Sequence, residues 1–350
     1  MRAATWHGPR DVRVEEKEEP TLASDRDAIV RVTTASICGT DLHVYRGELT
    51  VVPGTVLGHE FMGVVERVGS GVRRFREGDR VIVSAWVADG ECWFCRRQLF
   101  TQCESVNIFG MGPAYGESLD GAFAELVRVP NADVTLIRAP EGVPDERLVF
   151  IGDGLATGFD AVANAGLSPG VVVAVVGSGP IGLMSGMCAL LFGASEVLMV
   201  DVSEERLKFA ESLGFRTVNA SRADPVEEVR LMTDGRGADV VIEAVGRTVE
   251  PLMTAIQMVR RKGTVSVVGF HLHEYGVQMG QLWLTEKKLV FSIGDPIRNG
   301  ERLIRLVSEG RLDPSRLVTH RLPLEEVPRG FELFERKEAL KVLVEVSRGA

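Results

Sequence analysis

Two textures of apolar and polar residues follow one another along the chain. Up to about residue 150 the apolar residues fall in short runs, AIVRVTTASI at 28–37, GVVERVG at 63–69, DRVIVSAWV at 79–87 and FAELVRV at 123–129, cut by Gly, Pro and Asp. Short runs bounded by turn formers predict an antiparallel β-rich region. From about Gly154 the pattern changes. VVVAVVG, VLMVD, ADVVIEAVG, TVSVVGF and LVFSIG are largely apolar, and helices are predicted between them from Pro180 to Phe192 and from Ser203 to Leu213. Buried strands alternating with amphipathic helices predict a doubly wound parallel sheet, so the fold class is α/β. After about Pro296, a helix through Leu303 to Glu309 and a last β run, KVLVEV, read as a return to the first region. The expected domains are 1–153 and 154–296, with 297–350 belonging to the first.

Composition narrows the setting. A chain of 350 residues with 45% apolar content fits two domains, each with its own core. Its 40 Lys and Arg against 49 Asp and Glu give a net charge of −9, which repels nucleic acid and anionic membrane surfaces and leaves a small neutral or polar ligand as the expected partner. No charged segment leading into an apolar core opens the sequence, and no run of about 18 apolar residues occurs, so a cytoplasmic location is expected. The five cysteines are odd in number, with three in one window, which fits a reducing compartment better than a disulfide scaffold.

That window reads DGECWFCRRQLFTQC, from Asp89 to Cys103. Asp89, Cys92, Cys95 and Cys103 stand at the spacing of a four-ligand metal knot, with an aspartate where a fourth thiolate is usual. Thiolates hold zinc in a tetrahedral shell, and ligands three residues apart let one short loop wrap the ion. A closed shell of this kind predicts a structural zinc.

A second motif predicts a nucleotide. Gly177, Ser178, Gly179, Pro180, Ile181 and Gly182 follow the strand VVVAVV directly and open the helix at Pro180. Gly177 permits the tight turn, Gly179 the approach of a pyrophosphate to the backbone, and Gly182 the close packing of helix on strand. Asp201 ends the next strand, where a carboxylate accepts hydrogen bonds from the adenosine ribose hydroxyls and repels a 2′-phosphate. NAD is therefore expected over NADP. Arg206, one helical turn further on, is the residue that would partly compensate a phosphate there.

Other metal-type residues are scattered: Cys38 in SICGTDLH, His59 and Glu60 in LGHE, and Asp153 in FIGDGLATG. Catalytic zinc sites gather ligands from separate loops, but singly these residues read equally well as a buried thiol, a satisfied histidine and a turn aspartate. Resemblance decides between the readings. CGTDLH, LGHE, EGDRV, the knot window, GSGPIGLM, VLMVD, GADVVIEAVG and LDPSRLVTH resemble, in order and spacing, the zinc-dependent alcohol dehydrogenases of the medium-chain dehydrogenase/reductase superfamily. The likeness covers nearly the whole chain and is greatest to microbial secondary-alcohol dehydrogenases, whose third catalytic ligand is an aspartate.

The resemblance implies a GroES-like β-rich catalytic domain interrupted by a Rossmann domain. It implies a catalytic zinc on Cys38, His59 and Asp153, with Glu60 able to approach the metal. Thr40 would meet the substrate hydroxyl, His43 would form the outer group of a proton relay through the nicotinamide ribose, and Asp41 would orient His59. Thr157 and Val268 fall where family members meet the nicotinamide, and Lys341 where a basic residue sits near the cofactor phosphates or near the acidic groups behind the metal. Zinc lowers the pKa of an alcohol, Thr40 and His43 take the proton out, and a cleft between two domains keeps water away.

Departures from the family pattern carry information too. Asp89 replaces a cysteine of the knot and should bind zinc less tightly than a fourth thiolate. Ala85 stands where primary-alcohol enzymes carry a bulky residue, leaving room for a secondary or branched alcohol, with Trp86, Phe109 and Trp283 as candidate apolar walls. Polyol enzymes more often offer a glutamate as third ligand, so Asp153 leans away from a polyol; an amino alcohol or formaldehyde would need the same chemistry. A non-catalytic coenzyme-binding relative should have lost ligands that are all present here. Relatives assemble as dimers or tetramers, which implies a homo-oligomer joined at an exposed edge of the Rossmann sheet.

Overall fold

The computed structural model describes residues 1–347, apart from the side chains of Pro113 and Ala114. By internal contacts the chain divides into one unit of Met1–Ala156 with the segment from Asp295 onward, and a second unit of Thr157–Gly294. The first division falls inside the helix Gly154–Asn164 and the second at the N-cap of the helix Pro296–Ser308, against the 153/154 and 296/297 read from the texture.

In the first unit the apolar runs become a seven-stranded sheet. Its order is Leu136–Arg138, Arg80–Val83, Glu60–Val68, Ala28–Ile37, Lys341–Glu345 and Val318–Pro323, with Leu126–Val129 also paired to Ala28–Ile37. The pairing is antiparallel except between the last two strands. KVLVEV does return to this unit: Val342 lies opposite Ile37 and Val344 opposite Ala35. Val30, Val32 and Ala35 lie in the core beside Phe61, Phe123 and Phe331, the irregularity between Val32 and Thr34 shifting the alternation so that Ala35 joins the inner face. Phe331 stacks on Tyr45 with ring centroids 5.0 Å apart and meets Phe123 edge-on at 5.9 Å, fixing the helix Asp41–Tyr45 to the core.

The second unit is a six-stranded parallel sheet in the order Arg216–Asn219, Glu196–Asp201, Val172–Val176, Ala238–Glu243, Val259–Val267 and Lys288–Phe291. Counted along the chain that order is 3-2-1-4-5-6, the doubly wound arrangement expected of a dinucleotide-binding sheet. Arg216–Asn219 carries no apolar signature because it is an edge strand with one buried residue, Val218. Ser203 is not the first helical residue but the N-cap, its hydroxyl accepting from the Arg206 N–H at 3.4 Å, so the helix runs Glu204–Ser212. At the opposite sheet edge Phe291 is exposed, as are Trp283 and Leu284 on the neighbouring helix Met279–Thr285. The first and last residues of this unit meet. A Cβ on Gly294 would lie 2.4 Å from the Thr157 nitrogen and 2.5 Å from its hydroxyl, a contact open only to glycine.

Among the described residues no helix is long and apolar enough to cross a membrane.

Candidate functional site

Two adjacent strands of the first sheet, and a turn seated on the strand beside them, each bring one corner of a cage. Cys38 follows Ala28–Ile37, and His59 precedes Glu60–Val68; because Ser36 pairs with Glu60, both lie at the same end of the sheet. Asp153 follows the turn Val149–Gly152, which is seated on Arg80–Val83: a Cβ at Gly152 would come within 2.4 Å of the Val83 carbonyl oxygen. Asp153 Oδ2 stands 3.3 Å from Cys38 Sγ and 3.3 Å from His59 Nε2, and the three donor atoms all lie within 4.8 Å of one another.

Asp41 holds the cage from behind. Its Oδ2 accepts the Cys38 N–H at 2.9 Å, and its Oδ1 lies 2.9 Å from His59 Nδ1. Nδ1 therefore faces a carboxylate while Nε2 faces the cage, the arrangement that orients a ligating imidazole. Burial lowers the pKa of His59, but the charges of Asp41 and Cys38 outweigh it and hold it well above the usual histidine range. Burial together with the Asp153 charge raises the Cys38 thiol. Burial would also raise Asp153, yet the hydrogen bond and charge of His59 bring it below the carboxylate range.

Glu60 and Lys341 are placed together beneath the cage. Lys341 Nζ forms an ion pair with Glu60 Oε2, Glu60 Oε1 accepts the Gly154 N–H at 2.9 Å, and both side chains are essentially inaccessible. Of the two places the resemblance implied for Lys341, this is the one among the acidic groups behind the metal and not the one at the cofactor. A lysine with 1% exposure whose ammonium is spent on a buried carboxylate and lies over the Phe150 ring has no route to a phosphate. It stands instead with the acidic groups behind the cage. Burial lowers the Lys341 pKa, but the Glu60 carboxylate raises it further, so it stays charged.

Thr40 lies at the cage rim, its hydroxyl 3.8 Å from Cys38 Sγ. His43, on the same short helix, is buried and its Nδ1 pairs with the Glu48 carboxylate, a partner that sequence reading missed. Of the proposed pocket residues, Ala85 is buried beside the cage turn, its N–H donating to the Gly152 carbonyl at 2.9 Å, and Trp86 is half-buried against Tyr115. Phe109 is not a pocket wall. It is fully buried and packs edge-on to Phe61 at 5.2 Å, in the core. Trp283 is 81% exposed, on the helix Met279–Thr285 of the second unit.

The knot is a different kind of cage. Asp89, Cys92, Cys95 and Cys103 bring their donor atoms within 4.8 Å of one another, and main-chain N–H groups point at the sulfurs: Asp89 to Cys103 at 3.3 Å, Cys95 to Cys92 at 3.4 Å and Ser105 to Cys103 at 3.4 Å. Desolvation would raise the Asp89 carboxyl, but the N–H groups of Cys92 and Glu91 outweigh it and lower the pKa to about 2. Desolvation likewise opposes ionisation of Cys92, yet the N–H groups of Cys95 and Glu104 bring its pKa below the usual thiol value. The knot also rests on the helix Pro296–Ser308. Ile297 packs against it, and Asp295, the N-cap of that helix, accepts the Phe100 N–H at 3.0 Å.

In the second unit the glycine loop is shaped for an approaching group. Gly177 has φ +102°, and a Cβ on Gly182 would meet the Gly177 carbonyl oxygen at 1.8 Å, so each position requires glycine. At Gly179, the N-cap of Pro180–Leu191, a Cβ would find only Arg206 Nη1, 3.7 Å away. Ile181 stands in the first turn of that helix, half-buried. Arg206 is half-buried, and its Nε is buried without a hydrogen-bond partner. Asp201 is fixed by three amides, with Oδ2 accepting Ser178 N–H at 2.8 Å and Oδ1 accepting Val202 and Ser203 N–H at 2.8 and 2.9 Å. Val268 follows the strand Val259–Val267, half-buried, and donates to the Glu243 carbonyl at 2.9 Å. Beside it lies a pair that sequence reading also missed: the fully buried Glu243 carboxylate meets His271 Nε2 at 3.0 Å and accepts the N–H groups of Val245 and Gly246.

A buried thiol, imidazole and carboxylate converging on one point, with imidazole orientation fixed from behind, fit a zinc ion that keeps one coordination position free. Four donors closing on themselves in the knot fit a structural zinc. With a glycine cradle at a helix N-terminus in a doubly wound sheet, these features define a zinc-dependent, nicotinamide-using dehydrogenase. Residues 24–141 match the alcohol dehydrogenase GroES-like domain and residues 180–309 the zinc-binding dehydrogenase domain. An uncharacterized zinc-type alcohol dehydrogenase-like protein of Bacillus subtilis, AdhB, is 36% identical over 98% of this chain and 100% of its own. Alcohol dehydrogenase TADH from Thermus sp. ATN1 superposes with a TM-score of 0.95 at 42% identity, covering 99% of this chain and all of its own. A zinc-binding dehydrogenase of Sinorhizobium meliloti 1021, solved bound to NADP, has a TM-score of 0.87 at 28% identity over 99% of each chain. The chain belongs to the zinc-dependent alcohol dehydrogenases of the medium-chain dehydrogenase/reductase superfamily.

Proposed function

We propose that the protein interconverts a secondary or branched alcohol and its ketone or aldehyde, with NAD as the hydride carrier, a catalytic zinc on Cys38, His59 and Asp153, and a structural zinc in the knot. The observation that carries this reading is the contrast in donor number. Three donors converge on the Asp41-supported cage, whereas four close the knot. Zinc bound to three protein ligands supplies Lewis acidity to an alcohol or carbonyl oxygen, and NAD supplies the hydride acceptor. Asp41 keeps His59 in the orientation that presents Nε2, Thr40 at the rim receives the substrate hydroxyl, and His43 passes the proton on. Glu60, tied to Lys341, contributes negative charge behind the cage rather than a ligand atom. The small Ala85, bonded to the residue before Asp153, favours a branched substrate over a narrow one.

Support for NAD comes from Asp201. Its carboxylate is held in place by three amides, and a 2′-phosphate brought beside it would put two anions together at a cost of several kcal/mol, on the order of a hundredfold or more in affinity. Arg206, beside Gly179, is a cation placed to offset that cost. The test is kcat/KM for NAD and NADP across a panel of primary, secondary and polyhydric alcohols, with wild type and Asp201→Ser, alongside zinc analysis. Secondary alcohols with NAD should lead, and Asp201→Ser should move the NAD to NADP ratio about a hundredfold toward NADP. A wild type that prefers NADP, or a variant with an unchanged ratio, removes Asp201 as the reader of the ribose. The exposed Phe291, Trp283 and Leu284 beside the edge strand Lys288–Phe291 support self-association along that edge, which light scattering of wild type and Phe291→Lys tests directly.

A further inference from the structure

The short helix Asp41–Tyr45 ends in a way that couples His43 to a residue outside it. The Gly47 N–H donates to the Val44 carbonyl at 2.9 Å and the Glu48 N–H to the His43 carbonyl at 2.8 Å, with Gly47 at φ +77°. That is the paired bonding of a Schellman motif, which brings the third residue from the helix end against the residue just after the left-handed glycine. Those two residues are His43 and Glu48, and the side chains meet: His43 Nδ1 pairs with Glu48 Oε2. The turn is doubly specified, because a Cβ on Gly47 would also strike Pro9 Cγ at 2.7 Å. The partners differ in access to water. The His43 side chain is 7% exposed and that of Glu48 27%.

We propose that Glu48 is the proton-exit and positioning residue behind His43. The inference rests on the alcohol dehydrogenase reading above. Oxidising one alcohol sends a hydride to the nicotinamide and one proton to solvent. A carboxylate at Nδ1 keeps the ring proton on that nitrogen and leaves Nε2 as the acceptor. His43 takes the outgoing proton at Nε2 as its Nδ1 proton passes to the Glu48 carboxylate, which then gives a proton to water. That leaves the ring proton on Nε2; before the next turnover a proton from water re-enters through Glu48 to Nδ1 as the Nε2 proton is released to water, so each group returns to the state in which it began, and carbonyl reduction runs the same transfers backward. A buried imidazole alone exchanges slowly with water; a carboxylate at the rim provides the outlet.

The experiment compares wild type, Glu48→Gln and Glu48→Asp, full-length and zinc-loaded, on a secondary alcohol over a range of pH and of imidazole concentration. In dilute buffer near neutral pH, Glu48→Gln should lower kcat about tenfold, less than the hundredfold or more supplied by a group in contact with the reacting atoms. Its KM for the nicotinamide should stay at the wild-type value. Added imidazole should restore the Glu48→Gln rate and leave wild type nearly unaffected, and Glu48→Asp should retain most of the activity. An unchanged kcat, pH profile and imidazole response in Glu48→Gln overturns the proposal. So does a loss that imidazole does not restore and that comes with a raised cofactor KM, because that is the signature of a structural role. A wild type that turns over no alcohol with either cofactor overturns the functional reading itself, and the relay with it; an active wild type with an indistinguishable variant overturns the relay alone.

Discussion

The knot and the cage use overlapping donor chemistry and are built in opposite ways. Asp89, Cys92, Cys95 and Cys103 come from one window and are organised by its own backbone, whose N–H groups of Asp89, Cys95 and Ser105 point at sulfur. Cys38 and His59 come from the ends of two neighbouring strands and Asp153 from a turn seated on a third, and they are organised by a side chain, Asp41, and by sheet register. A local cage can form with its metal as a small folding unit, whereas a dispersed cage presupposes a finished sheet. Disturbing the first should therefore be felt as stability, and disturbing the second as chemistry.

Cys38→Ser tests the second half of that contrast most severely. It should lower turnover by about a thousandfold or more while leaving the melting temperature nearly unchanged, with zinc analysis showing loss of the cage ion alone. Cys95→Ser should do the reverse, costing roughly 2–4 kcal/mol of stability, a fall of about 3–5 °C in melting temperature for a chain of this length, with residual turnover in the folded fraction. If both variants lost only stability, or neither lost metal, the two cages would not be distinct in kind. Asp41→Asn probes the side-chain support: His59 would keep its place but lose its charged partner, and zinc affinity or turnover should fall about 10–100-fold. Equal activity would mean that sheet register suffices. The smallest effect is expected from Asp89→Cys. A fourth thiolate should hold the knot metal against a higher chelator concentration, but it gives up the carboxylate's bonds to the Glu91 and Cys92 N–H groups, so net stability should change by about 1 kcal/mol or less.

The same contrast governs what could be read from sequence. The knot and the glycine loop were legible because their residues are contiguous and spacing alone implies geometry. Cys38, His59 and Asp153 carry no such spacing; resemblance joined them, and the structure places them together. Phe109 failed as a pocket wall because aromaticity does not specify where a ring is buried, and this one lies in the core. The Lys341 pairing with Glu60 bridges distant segments, so no local pattern announces it. Glu48 is different. A glycine two residues past a short helix is a legible C-terminal signal, and reading it as a Schellman turn would have brought His43 and Glu48 together without coordinates.

The contact between Thr157 and Gly294 bears on how such a chain assembles. The strand Lys341–Glu345 must pair with Ala28–Ile37 across the entire intervening sequence, a separation that by itself would make closing the first sheet slow. Because the second unit begins and ends at one point, its folding reduces that long tether to a short one, and the loop entropy of the sheet closure falls accordingly. The inserted unit should therefore fold first and act as a staple, so that loosening Gly294, for example by Gly294→Val, slows formation of a sheet that the residue does not belong to.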